Sequence, residues 1–151
     1  MSDINIVKKR LNDCNTLSEI PVKDFLDEET GFAHIVAKES IKGNLNTTQL
    51  RKFFAALKKM EQKNTWKEIE TEFYLLKPRM AVSVGRENLP KVFYHVILVA
   101  MSKVDNVEDD ETKMKNFDIF VKFFEAIVAY HKYEELEKKN QNRRKNNRRR
   151  Y

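Results

Sequence analysis

His131 stands three and four residues ahead of Glu134 and Glu135, the spacing that sets metal ligands on one helical face. Two such ligands make no site on their own. The remaining histidines, His34 and His95, fall in separate helical stretches, and His95, among apolar neighbours, reads as a packing residue. Cys14, the single cysteine, has no nearby base to make it a nucleophile. The acidic run from Asp105 to Glu111 lacks the glycine and the alternation of a calcium loop and reads as a solvated helix start. Glu125 shares a helical stripe with Asp118, Lys122, Ala129 and Lys132, so it is expected on the outside, paired with Lys122. No glycine-rich phosphate loop and no hydrolase signature occurs. These residue types give no catalytic group, no metal and no cofactor.

What remains is phosphate chemistry. In "NLNTTQLRKFFAALKKM", Asn44 to Met60, a helical wheel gathers Leu50, Phe53, Phe54, Leu57 and Met60 into one arc. Arg51, Lys52, Lys58, Lys59 and Lys63 occupy the opposite arc with Thr48, Ala55 and Gln62, while Glu61 lies at the margin of the apolar side. Clustered like charges repel slightly within a helix, so cations left without carboxylates point to a partner that supplies them. A second basic segment, "KPRMAVSVGR", carries Lys77, Arg79 and Arg86 with no acid before Glu87. Arg79 and Arg86 are seven apart and share a face if the helix passes Pro78. Gly85 beside them has no side chain to obstruct an approaching backbone.

The elements that must hold these cations are helical. Ile4, Val7 and Leu11 predict a short helix, "LSEIPVKDFL" reads as a connection, and a helix from Asp27 to Ile41 stops at Gly43. Asn46 and Gln49 form an N-terminal cap for the basic helix, with Leu45 and Leu50 as its staple. Thr65 and Glu68 give a second capping box, for a helix that Pro78 must kink or restart. Pro90 to Val104 reads as a helix buried nearly all round. A long final helix carries Phe117, Phe120, Val121, Phe124, Ile127, Val128 and His131. The expected architecture is all-α: one bundle of five to six helices over residues 1–137, followed by a basic tail over 138–151. That tail, "KKNQNRRKNNRRRY", is too polar to pack and is expected to be disordered.

Composition agrees. A chain of 151 residues with 10 Phe, 5 Tyr and one Trp can fill a single core, and three Gly with three Pro are too few for a many-stranded β fold. One cysteine forms no internal disulfide, no apolar run reaches the length of a membrane span, and the N-terminus lacks a signal-peptide core, so a cytoplasmic protein is expected. The net charge of +6 conceals blocks: −3 over residues 1–41, +7 over 42–103, −6 over 104–137, and eight cations without an acid in the last fourteen. Clustered basicity is the mark of a polyanion surface.

Three strings, "LNTTQLRKFFAALKKM", "LKPRMAVSVGR" and "FFEAIVAYHKY", resemble in order and spacing the small subunit of the type III-A CRISPR effector, the Csm complex. The resemblance spans roughly residues 30 to 135 and includes neither the first thirty residues nor the Arg/Asn tail. It implies a non-catalytic helical bundle, not an enzyme, that stacks in several copies as a minor filament. Its partners would be crRNA, target RNA, the crRNA-carrying backbone subunit and the large polymerase-like subunit. Carried over by motif, Arg51, Lys52, Lys77, Arg79 and Arg86 would face RNA phosphates, with Thr48 and Gln49 as polar neighbours. Lys58 and Lys59 join them on the wheel argument alone. Two other readings fit the same charges: a helical adaptor for acidic proteins, and a general nucleic-acid binder working through its tail.

Overall fold

Ile4, Val7 and Leu11 are all buried in the first helix, α1 (Asp3–Asp13), as their spacing predicts. A computed structural model describes residues 3–43 and 45–150. Among the described residues it contains seven α-helices, one 3-10 turn and no strand. After α1 come the 3-10 turn Leu17–Glu19, α2 (Val22–Leu26), α3 (Phe32–Lys42), α4 (Thr47–Glu61), α5 (Trp66–Gly85), α6 (Lys91–Ser102) and α7 (Asp110–Arg150). The all-α expectation holds, and the count exceeds five to six. The surplus is α2, a five-residue helix that starts straight after Pro21 and buries Phe25, inside a stretch that reads as a connection.

The long α7 is the spine, and α2, α3, α4 and α5 all pack along it. Its inward side buries Phe117, Phe120, Val121, Phe123, Phe124 and Ile127. Phe73 of α5 lies edge-on to Phe117 and Phe120, with ring centroids 5.8 and 5.9 Å apart, and to Trp66 at 5.3 Å. Each such ring removed from water contributes about 1.5–3 kcal/mol, so this aromatic cluster fixes where α5 lies. The Tyr74 hydroxyl donates to Asp105 and ties α5 to the turn before α7. Desolvation, and then that bond, push its pKa up to about 12.

Buried Asn116 fastens a further corner. Its amide donates to the Val104 carbonyl at 3.0 Å, and its side-chain oxygen accepts from the Ser18 backbone N–H at 3.0 Å. Midway along α7, His131 is buried and burial lowers its pKa, against the opposing effects of Glu135 and the Leu45 backbone.

Several local expectations are corrected. The third helix starts at Phe32 and not at Asp27. The Asp27 carboxylate instead accepts from the Glu29 and Thr30 backbone N–H groups and the Thr30 hydroxyl, holding a turn and lowering its own pKa. Of the two alternatives at Pro78 only the restart is excluded: α5 runs through Pro78 to Gly85. The Thr65 hydroxyl bonds the Glu68 carboxylate at 3.0 Å, and no cap hydrogen bond forms from the Thr65 side chain. His95 is exposed and not packed. Glu125 is outside as expected, yet Lys122 pairs with Asp118 at 2.9 Å, one turn earlier. The residues read as a disordered tail continue α7 as helix to Arg150, with Tyr151 outside the described residues. Lys, Arg and Gln are good helix formers, cations favour a helix C-terminus, and no Gly or Pro follows Pro90.

Candidate nucleic-acid interface

The start of α4 is built as its sequence predicts. Asn46 accepts from the Gln49 backbone N–H at 3.2 Å, and Leu45 and Leu50 are both buried. Thr47 then donates its hydroxyl to Glu135 of α7 at 2.7 Å, which lowers the Glu135 pKa.

The end of α5 closes onto that start. Glu87 adopts a left-handed φ of 62°. The Glu87 N–H bonds the Val84 carbonyl at 2.9 Å, and the Asn88 N–H bonds that of Ser83 at 2.8 Å. This is the paired stop that usually employs glycine. The Asn88 carbonyl then accepts from the Asn46 N–H at 3.2 Å, so the two helices meet end to end and run antiparallel. A Cβ on Gly85 would meet nothing within 4 Å, so nothing inside the fold requires glycine there.

Between the two helices runs a groove in two joined sections of about 530 and 390 Å³, which share Lys52, Ala56 and Arg79. Ala55 and Ala56 are small where α5 passes, which leaves the trough open, and Met60, Ile69 and Leu76 line it. On α4 the contributing stripe is Gln49, Lys52, Ala56 and Lys59, continued by Lys63 just past the helix. On α5 it includes Arg79 and Val82, continued by Arg86 just past the helix, with Val82 52% exposed. Both stripes recur at three-, four- and seven-residue intervals and so each lies on one helical face.

The predicted residues therefore separate. The structure brings Gln49, Lys52, Lys59, Arg79 and Arg86 together along the groove. It leaves Thr48, Arg51, Lys58 and Lys77 out of the lining. Thr48 and Arg51 are exposed. Lys58 turns toward α7, pairs with Glu61 at 2.6 Å and lies 5.9 Å from the Phe54 ring centroid. That pairing, chiefly its hydrogen bond, raises the Lys58 pKa. Lys77 is half-buried over the Tyr74 ring, 5.6 Å from its centroid.

Sequence reasoning placed Lys63 on the basic arc but did not carry it into the site, and it gave no role to Ser83. The Ser83 hydroxyl donates to the Gln49 side-chain oxygen at 3.2 Å across the groove. The charge is also less uniform than the two basic strings imply. Arg79 pairs with Glu72, seven residues earlier, at 3.2 Å, and Glu68 lines the same section. The Gln49–Arg86 section has no carboxylate in its lining. Among the described residues no group of three or more His, Cys, Asp or Glu is arranged to hold a metal ion, and no helix is long and apolar enough to cross a membrane.

A cationic trough with an apolar floor, set between two antiparallel helices, has the charge and the shape that a polyanionic strand would require. Residues 26–137 match the family described as Csm2 Type III-A, a span that contains both groove helices and ends before the last turns of α7. Comparison with curated proteins and with solved structures gave no match.

Proposed function

This chain belongs to the Csm2 Type III-A family and is a small subunit of a type III-A CRISPR effector, and from that premise we propose that its α4–α5 groove holds the backbone of crRNA or target RNA. One observation carries the reading: Lys52, Arg79 and Arg86, distant in sequence, line one continuous trough. In an effector whose specificity comes from guide–target pairing, a small subunit has backbone charge and shape to read, not base edges. Arg supplies a planar fork for phosphate and Lys a mobile point charge. In this reading the groove cations are the principal contacts, Arg51, Lys58 and Lys77 add charge from outside it, and Thr48 adds a neutral hydroxyl.

Three or four phosphates neutralised per copy correspond to a log–log salt slope of roughly −2 to −3. A single copy therefore binds weakly. Stacking copies as a minor filament beside the crRNA-carrying backbone subunit raises the effective concentration and compensates. The acidic block at 104–137 and the basic block at 42–103 favour such head-to-tail association. The subunit contributes binding and no chemistry of its own, in the cytoplasm where guide and target meet, alongside the large polymerase-like subunit.

The test is a reconstituted effector carrying Lys52→Glu, Arg79→Glu and Arg86→Glu. Target-RNA retention should fall at least about tenfold (roughly 1.4 kcal/mol) while the subunit still co-purifies with the complex. Retention equal to that of the unaltered complex sinks the reading.

A further inference from the structure

The last turns of α7 lie outside the family match, which ends at residue 137. Yet they carry the densest charge in the molecule: eight Lys/Arg and no acid after Glu137. From Lys138 to Arg149 every residue is exposed. Among the described residues no cation beyond Lys139 makes an ion pair, and Lys139 itself reaches Glu135 only at 3.8 Å. Lys139 and Arg143, Arg144 and Arg148, and Lys145 and Arg149 are like charges one turn apart, which weaken an isolated helix. The cations point in every direction around the axis, and the intervening residues are all Asn or Gln. With no apolar residue before Tyr151, the segment has no face to insert into a membrane or into a hydrophobic protein groove. It suits a strand rich in phosphate.

Its place in the fold decides which strand. Lys58, near the end of α4, feels Asp118 and Glu125 of α7, whereas Thr47, at the start of α4, bonds Glu135. So α7 runs antiparallel to α4 and leaves the bundle at the end where α4 begins. That end is also where Asn88 meets Asn46, two residues after Arg86, in the groove section free of carboxylates. Gly43 and Pro90 pack together there, which puts Lys42 and Lys91 at the same end. Lys42 and Gln141 line one hollow, so α7 stands clear of the bundle from about Asn142. At about 1.5 Å per residue the remaining turns extend more than 10 Å into solvent.

We propose that Lys138–Arg149 is a second RNA-binding element, which takes up the strand where it leaves the Arg86 end of the groove and lengthens the subunit's footprint. The proposal rests on the groove reading above, and the experiment separates the two. Full-length protein is titrated at several salt concentrations with single-stranded RNAs of about 6 and about 20 nucleotides, lengths that bracket a short binding site. One variant carries Arg143→Gln, Arg144→Gln, Lys145→Gln, Arg148→Gln and Arg149→Gln. A second carries Lys52→Gln, Arg79→Gln and Arg86→Gln.

The tail variant should bind the long RNA about tenfold more weakly, with a salt slope shallower by roughly 2–3. The short RNA should change less than about twofold, while the groove variant should lose affinity for both. A tail variant that matches the unaltered protein on the long RNA overturns the proposal. So does one that loses equally on both lengths, which would make the tail independent of the groove. A groove variant without effect, beside a tail variant that loses binding, overturns the groove reading and the continuity together. Polyglutamate competing as well as RNA of equal charge would assign the tail to an acidic protein and overturn RNA as its occupant.

Discussion

At the Gln49–Arg86 end of the groove no carboxylate enters the lining, and Arg86 shares it with the Gln49 amide and the Ser83 hydroxyl. At the Lys63 end, Glu68 and Glu72 stand among Lys52, Lys59 and Arg79, and Glu72 holds the Arg79 guanidinium at 3.2 Å. Both ends belong to the same helix pair and carry similar cation counts. The difference shows that density of Lys and Arg is not what makes a phosphate site. An exposed cation is available to a partner only where the fold has not already given it a carboxylate. The open end is thus the one expected to hold RNA most firmly, and the acidic end to yield first as salt rises.

The largest expected effect removes the basis of the comparison. Phe73→Ala empties the aromatic cluster that locates α5 and should cost about 3–5 kcal/mol in chemical denaturation. Both ends of the groove should lose RNA binding together. Loss confined to one end would mean that α5 is held in place elsewhere.

Glu87→Gly acts at the open end alone. It relieves a non-glycine residue at a left-handed φ of 62° and should stabilise the fold by about 1 kcal/mol in the same assay. Unchanged or lower stability would show that the Glu87 side chain offsets its backbone strain.

Glu72→Gln has the smallest effect and discriminates most finely. Both partners are about half exposed, so stability should hardly move. Freed Arg79 should raise RNA affinity by roughly two- to threefold at low salt and make the salt slope steeper by about 0.7. If the affinity stays the same, Arg79 does not meet RNA at that end.

The sequence made much of α4 legible because capping and burial are local. Asn46 with Gln49, the Leu45–Leu50 pair, and the arc of Leu50, Phe53, Leu57 and Met60 all follow from spacing within one helix. The split of its basic arc was not legible. A wheel places Lys52 and Lys58 on the same broad flank, and only the position of α5 on one side and α7 on the other turns the first into the groove and the second toward Glu61. Glu72 escapes notice because the run beginning at Lys77 contains no acid before Glu87, whereas Glu72 lies before that run, seven residues ahead of Arg79 on the same helix. The exposure of His95 follows from a polar stripe it shares with Lys91 and Ser102 on α6, whereas local pattern leaves a kink and a restart both open at Pro78. The helical tail was misjudged for a different reason. Polarity argued correctly that it would not pack, but packing is not required of residues that extend a helix already nucleated and held by the core upstream.

The most direct measurement of the central claim is photocrosslinking in the assembled effector, with target RNA carrying thiouridines and crosslinked residues located by mass spectrometry. The groove account predicts crosslinks on both helices, concentrated near Lys52, Arg79 and Arg86. Crosslinks confined to the Arg51 and Lys58 flank of α4, with none on α5, would contradict it.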